Sequence, residues 1–483
     1  MALNDLLAPL MFITLIVFML SGFPVAFAQA ANGLLFGYVA IELGMMQPAL
    51  LQALPERLFG IMSNDTLLAI PFFTFMGVLL EKSGMAEELL EAVGSLFGRI
   101  RGGLAYAVIL VGALLAATTG VVAASVISMG LISLPIMLKN GYSPRIASGT
   151  IVASGTLAQI IPPSLVLIVL ADQLKVSVGD MYTGALLPSA ILVGFFVAYI
   201  AVVSVLDKNA LPALPKRDLG ASMVSVVVQA LKSMLPPLVL IGLVLGGIFT
   251  GVATSTEAGA LGATGALVLT ALKKRLSMPL LKDALDNSTK LSCFVMFILI
   301  GSTVFGLTFR AIEGDIWIEH GASHLPGGEL GFILAVQLLI FVLGCFIDFF
   351  EIVFIVVPLL MPIADKLGID LVWFGVMIGM NLQTSFLTPP FGFSLFYLKS
   401  VAPPSLKVAD IYRGVVPFIV LQILAVVLIY FFPGLLMQDK KISKTDTPLI
   451  LENPAGDYGS PYGNPDAPVG AVPQPMAPRF SEP

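Results

Sequence analysis

Two pairs of adjacent prolines stand inside apolar runs. Pro162-Pro163 lies in SGTLAQIIPPSLVLIVL (154–170), and Pro389-Pro390 lies 227 positions later in NLQTSFLTPPFGFSLFYL (381–398). A proline pair removes two backbone donors and breaks a helix. In hydrocarbon such a break survives only where the freed carbonyls meet protein, water or an ion. Unwound carbonyls, hydroxyls and amides can coordinate a small hard cation, and half-helix N-termini favour an anion. Two more breaks accompany them: Thr118-Thr119-Gly120, ending in Val121, in the first half, and Gly344-Cys345 with Asp348 in the second. Pairing each with the broken helix of its own half gives two pockets. In the second, the expected cation ligands are Gly344, Asp348, Gln383, Thr384, Thr388 and Pro390. Hydroxyl, amide and small residues beside the breaks, Ser125, Ser154, Gly155, Thr156, Asn381 and Ser385, are the expected substrate contacts. Close helix packing is the competing explanation for small residues in these places.

The elements that must hold these breaks are set by composition. Of 483 residues, 57% are hydrophobic and 11% charged, too few polar groups to cover a soluble fold. The net charge of −5 leaves no basic stripe for nucleic acid. The chain is therefore expected to be an all-α polytopic membrane protein. Apolar spans of about 20 residues place crossings near 7–28, 30–48 and 64–82, at 145–172 with the first proline break, and at 184–206. Residues 84–102 carry Leu89, Leu90, Val93, Leu96 and Phe97 on one helical face and Glu87, Glu88, Glu91 and Arg99 on the other, the pattern of an interfacial arm. The 104–138 run, interrupted at its middle, is expected to be a re-entrant hairpin. The N-terminus has no basic residue before its apolar run and is expected to be a retained helix.

The second half repeats the plan. PIMLKNG (135–141) falls on PIADKLG (362–368), the proline pairs fall in register, and DMYTG (180–184) falls on DIYRG (410–414) at an offset of 230. Five crossings per half make the repeats inverted. They span 1–206 and 222–433, with a cytoplasmic connector at 207–221, a second hairpin at about 330–364 and a second broken helix at 372–398. A disordered tail is expected over 434–483. Lys82, Arg99, Arg101, Lys139, Arg145, Lys208, Lys216, Arg217, Lys273, Lys274 and Arg275 all fall on one side of this topology, as cytoplasmic loops require.

Isolated polar residues have competing readings. Asp348 and Glu351 are costly in an apolar stretch and so are functional candidates, unless Asp348 is only a helix cap. Glu257 begins an apolar helix, where capping would suffice. His320 and His324 have metal-pair spacing, but Gly321 and Pro326 argue against the helix that would need. Cys293 and Cys345 read as buried packing residues. No Ser-His arrangement, His-Glu-x-x-His motif or phosphate-binding loop suggests an enzyme.

The ordered segments GMAEELL…GRIRGG, TTGVVAASVISMG, NGYSPRIASG, SGTLAQIIPPS, GIDLVWFGVMIGMNLQTSFLTPPFGFSLFYL and DIYRGVVPF resemble the large membrane subunit of tripartite ATP-independent periplasmic (TRAP) transporters, over about 5–435. The resemblance implies a sodium-driven carrier in a bacterial inner membrane, with no other cofactor. It also implies a separate periplasmic binding protein, a small four-helix membrane subunit, and elevator-type movement of hairpins and broken helices against a scaffold. Its first sodium site falls on Thr119 and Val121 of the hairpin and on Ala158, Ile161 and Pro163 of the broken helix. Many members have a Ser-Gly-Ser-Ser tip where this chain has Thr119-Gly120-Val121-Val122, so a Val121 ligand would be its carbonyl. The Thr-Thr-Gly tip resembles a branch labelled for mannitol or chloroaromatic compounds that includes carriers of 2-oxo acids and lactate. That implies an organic monocarboxylate. The competing functions are a stand-alone divalent-anion/sodium symporter, a pore and an intramembrane enzyme.

Overall fold

The computed structural model describes residues 3–97, 100–213, 223–323 and 325–436. Residues 214–222 of the connector, 437–483 of the tail, and Arg99, Lys216, Arg217 and His324 lie outside the described residues. Every regular element among those described is helical.

The first half runs α1 (Leu3–Leu20), α2 (Val25–Glu42), a 3-10 turn (Pro48–Ala53), α3 (Leu54–Met62), α4 (Asp65–Lys82), α5 (Met85–Phe97), α6 (Gly103–Thr119), α7 (Val122–Lys139), α8 (Pro144–Thr156), α9 (Leu165–Leu174) and α10 (Val178–Leu206). The second runs α11 (Met223–Phe249), α12 (Ser255–Leu272), α13 (Met278–Ala311), α14 (Gly314–Ser323), α15 (Glu329–Gly344), α16 (Phe349–Lys366), α17 (Leu371–Leu387), α18 (Phe393–Val401) and α19 (Val408–Phe431). Helix α16 starts and ends 227 positions after α7, α17 starts 227 after α8, and α19 starts 230 after α10. These are the offsets of the sequence repeat. The single long α13 stands where the first half has α3 and α4, which meet at a 48° bend.

Six described helices, α2, α7, α10, α11, α13 and α19, are long and apolar enough to cross a membrane; the bent pair would make a seventh span. Length alone undercounts because α8–α9 and α17–α18 are each divided by a break. With α6–α7 and α15–α16 set aside as the expected hairpins, although α7 alone is long enough to cross, counting each broken helix and the bent pair as one span leaves five per half: α1, α2, α3–α4, α8–α9, α10, and α11, α12, α13, α17–α18, α19. An odd number per half inverts the second repeat relative to the first.

Helix starts follow capping chemistry. Asn64 accepts from the Thr66 N–H at 2.9 Å to begin α4, and Asp370 accepts from the Trp373 N–H at 2.8 Å to begin α17. Ser177 caps α10, which therefore begins six residues before the apolar stretch expected from 184. Similarly α2 begins at Val25 and ends at Glu42, because Pro24 precedes it and Gly44 turns with φ +72°.

Helix α2 packs on α13 and, in the corresponding place, α12 packs on α4. The contact is close enough that a Cβ on Gly301 would lie 2.4 Å from the Ala26 carbonyl oxygen. Small residues at such crossings let backbones approach where hydrophobic exclusion supplies no driving force. The arm α5 buries Leu89, Leu90 and Val93 and turns Glu88 toward Lys273 and Arg275, while Lys82 pairs with Asp283. Basic residues from both halves thus gather at one end. Cys345 is buried, but Cys293 is exposed, contrary to the packing role expected for it. An apolar spanning helix also has an outer face, which the run of residue types does not distinguish.

Candidate functional site

The first junction is built on a two-residue tip. Helix α6 closes on Gly120, in the left-handed region at φ +61°, with its N–H donating to the Ala116 carbonyl at 3.1 Å. Val121 is extended, and α7 begins at the next residue. A side chain at Gly120 would be strained by that φ. Its Cβ would also sit 3.3 Å from Leu165 Cγ and 3.7 Å from the Pro163 carbonyl oxygen. The tip therefore lies directly on the break in the other helix. There α8 ends at Thr156, a 3-10 turn runs Leu157–Gln159, and α9 resumes at Leu165. Both proline pairs are joined by cis peptide bonds.

The second junction repeats this with a longer tip. Helix α15 ends at Gly344, and α16 begins at Phe349, opposite the gap between α17 and α18. A Cβ on Gly344 would meet Ser385 Oγ at 2.1 Å, so tip and broken helix touch here too.

In each break a serine takes up one freed carbonyl: Ser164 Oγ donates to Gln159 O at 2.7 Å, and Ser394 Oγ donates to Phe386 O at 2.5 Å. The halves meet at Gln383 and Thr156, whose Nε2 to Oγ1 distance is 3.4 Å. These positions are 227 apart, the repeat offset itself. Equivalent residues touch only where a two-fold pseudo-axis passes between them, so the site straddles that axis.

The remaining expected ligands fall around this point. Ala158, Pro163, Ser125, Ser154, Gly155, Gln383, Thr384 and Ser385 are buried, Asn381 is 6% exposed, and Val121, Ile161 and Thr388 are half-buried. Pro390 is exposed. The Thr118, Ser154, Thr156, Thr384, Ser385 and Thr388 hydroxyls each donate to a carbonyl of their own helix at 2.5–2.9 Å. A hydroxyl so engaged keeps its oxygen lone pairs, which suits cation coordination and disfavours donation to a substrate. Of Thr119 only its backbone, the last residue of α6, is described. Asn381 donates to Gln337 O at 2.6 Å, which ties α17 to α15.

Asp348 is the N-cap of α16: its Oδ1 accepts from the Phe349 N–H at 2.7 Å, and Glu351 Oε2 accepts from the Asp348 N–H at 3.3 Å. This is the reciprocal capping box, the alternative weighed against a direct cation ligand. Glu257 forms the same box with Thr254. Among the described residues no group of three His, Cys, Asp or Glu could hold a metal.

Gln159, outside the expected ligand set, is fully buried with neither amide atom bonded to protein, and Gln383 Oε1 is likewise unpartnered. Buried amides without protein partners mark places for water, an ion or a ligand. Neutral oxygens of this kind, with no Lys, Arg or His among the buried polar groups of the described residues, are the donor type that hard cations take. The polar letter in an apolar break was the available signal for Gln159.

This architecture is that of a secondary transporter. The chain belongs to the family described as "Tripartite ATP-independent periplasmic transporter, DctM component", whose model matches residues 12–435. It is 29% identical to the C4-dicarboxylate TRAP transporter large permease protein DctM of Pseudomonas aeruginosa, over 82% of this chain and 91% of that protein. It is 30% identical to the ectoine/5-hydroxyectoine large permease protein UehC of Ruegeria pomeroyi, over 91% of this chain and 100% of that one. A third relative, the isethionate permease protein DctMQ of Oleidesulfovibrio alaskensis, is 28% identical over 86% of this chain but only 66% of its own length. Among solved structures, the YdaH transporter of Alcanivorax borkumensis shares the fold, with a TM-score of 0.55 at 14% identity over 81% of this chain and 90% of that one. The chain is thus a TRAP large permease subunit, a multi-pass bacterial membrane protein and not an enzyme.

Proposed function

We propose that this permease couples uptake of an organic monocarboxylate, such as a 2-oxo acid, to a sodium gradient across the bacterial inner membrane. The observation that carries the reading is the composition of the axis region. The buried Ser125, Ser154, Thr156, Thr384 and Ser385 hydroxyls, the Gln159 and Gln383 amides and the break carbonyls lie there, and no Lys, Arg or His is among the buried polar residues described. With no fixed basic group there, an anionic substrate would have its charge met by the accompanying sodium ions, and the Thr118-Thr119-Gly120 tip is the feature that favours a monocarboxylate. The first cation position would use carbonyls of Thr119, Val121, Ala158, Ile161 and Pro163 with Thr118 and Gly120 shaping the tip. The second would use those of Gly344 and Thr388 with Gln383 and Thr384, while Asp348 holds the start of α16. Substrate would lie between them, near Ser125, Ser154, Thr156, Asn381 and Ser385.

Membership of the family implies a periplasmic binding protein and a small membrane subunit as partners. The DctMQ relative, longer than this chain, is consistent with that subunit being fused in some systems and separate in others. In our reading the two hairpins, the broken helices, α10 and α19 move together against α1–α4 and α11–α13, as an elevator. They pack mainly on one another, which supports this. The test is reconstitution of the permease with its small subunit in liposomes. Uptake should require the binding protein and collapse when the sodium gradient is dissipated. Full-rate uptake of free substrate without binding protein would favour a stand-alone symporter instead.

A further inference from the structure

The duplicated motif Asp-x-Tyr-x-Gly, at 180–184 and 410–414, has no part in the site described so far. Both of its tyrosines reach a break. Tyr182 Oη donates to the Ser164 carbonyl and Tyr412 Oη to the Pro390 carbonyl, each at 3.3 Å. Between the breaks and the tyrosines the repeat offset changes from 227 to 230, so an insertion intervenes, yet both hydroxyls land beside a proline pair. Ring packing explains an aromatic at each place, buried at Tyr182 and half-buried at Tyr412. It does not require both hydroxyls to end on break carbonyls.

The chemistry of a double-proline break gives the bond a purpose. Four prolines contribute carbonyls and no N–H groups, so each break holds more acceptors than donors. Serine hydroxyls satisfy Gln159 O and Phe386 O, and the tyrosines satisfy one carbonyl on the far side. Tying both ends of an unwound segment fixes which way the carbonyls between them point.

We propose that Tyr182 and Tyr412 are positioning residues for the two cation sites, each anchoring one break carbonyl so that its neighbours face the hairpin tip. The inference rests on the reading of the breaks as sodium sites. The two anchors are unequal. Tyr182 is wholly buried and binds the residue after Pro163, leaving the Pro163 carbonyl beside Gly120. Tyr412 is half-buried and takes the Pro390 carbonyl itself.

The experiment is thermal unfolding of the purified full-length permease in detergent, titrated with sodium chloride against choline chloride at constant ionic strength. Sodium alone is the probe, and its binding raises the unfolding midpoint by mass action. Losing one hydrogen bond worth roughly 1 kcal/mol should raise the half-saturating sodium concentration about fivefold in Tyr182→Phe, and about twofold in Tyr412→Phe where water competes. A purely structural role would lower the midpoint equally in choline and sodium and leave half-saturation where it was, which overturns the inference. Tyr412→Phe keeps the test open if Tyr182→Phe fails to fold. A wild-type midpoint that ignores sodium overturns the sodium reading and this inference with it.

Discussion

The two junctions are built to one plan but sealed differently. In the first half the break is buried from Pro162 to Leu170, and the tip turns in two residues. In the second, Pro390 is exposed, Phe391 is 50% exposed, and a four-residue tip carries an acidic capping box. The helix behind each break differs as well. Helix α19 lies backbone to backbone on α8: a Cβ on Gly149 would be 2.1 Å from Gly414 O, and one on Gly414 would be 2.1 Å from Arg145 O. The equivalent pair, α10 and α17, is held apart by side chains, with a Cβ on Gly184 meeting Val372 Cγ1 at 3.0 Å. One junction is closed and rigidly backed, and the other is reachable from outside and loosely backed. In a carrier that must open to each side in turn, such asymmetry between equivalent sites is what a single conformation would display.

The backing makes the largest prediction. Gly414→Val drives a side chain into the Arg145 carbonyl, which cannot move without displacing α8, so overpacking of about 3 kcal/mol or more should prevent folding. Gly184→Val meets only side chains, of Val372, Val376 and Leu436, which can change rotamer, and should cost about 1 kcal/mol. Size-exclusion profiles of detergent-solubilised protein check this. Similar profiles for both variants would remove the claim that the first junction is the rigid one.

Smaller effects should separate the breaks themselves. Replacing Pro163 or Pro390 by Ala restores a backbone donor and lets the helix extend across the break, which redirects the carbonyls. Pro163→Ala should raise the sodium concentration for half-maximal uptake about tenfold, a change of roughly 1.4 kcal/mol. Pro390→Ala, at the open junction, should act less, and Thr156→Val less again, since the Gln383–Thr156 contact is long at 3.4 Å. Uptake titrations in proteoliposomes provide the measurement. If both proline variants match wild type while Thr156→Val does not, hydroxyls and not carbonyls carry the sodium site.

Much of this arrangement was legible in residue types. The repeat offsets of 227 and 230 reappear in the helix starts, because a duplicated chain folds twice into the same elements. The interruption expected within 104–138 falls between α6 and α7 at Gly120, where only glycine accepts the turn without strain. What composition could not reveal is direction. Cys293 and Cys345 sit in equally apolar runs, yet one faces outward and one inward. Asp180, Tyr182 and Gly184 announced a repeat, but the hydroxyl's partner lies 18 residues upstream, on the far side of α9 at the end of the break, beyond any local periodicity. The 48° bend between α3 and α4 was equally invisible, since nothing at 63–64 except Ser and Asn signals it.

The smallest effect decides what the acidic tip does. Asp348 can serve the second junction in two ways, through its charge or through its cap, and aspartate and asparagine are nearly equal as caps. Asp348→Asn keeps an acceptor for the Phe349 N–H and removes the charge, so the capping role predicts little change in either stability or sodium titration. Asp348→Ala removes both and should cost about 1 kcal/mol of stability, with half-saturation by sodium following only as far as α16 frays. Direct coordination predicts the reverse order of information, with the Asn variant already demanding several times more sodium. The observed geometry, with Oδ1 engaged at 2.7 Å and Glu351 returning the bond, favours the cap. On that reading the second junction, like the first, would hold the proposed cation with neutral oxygens, and the acidic pair would serve the start of α16.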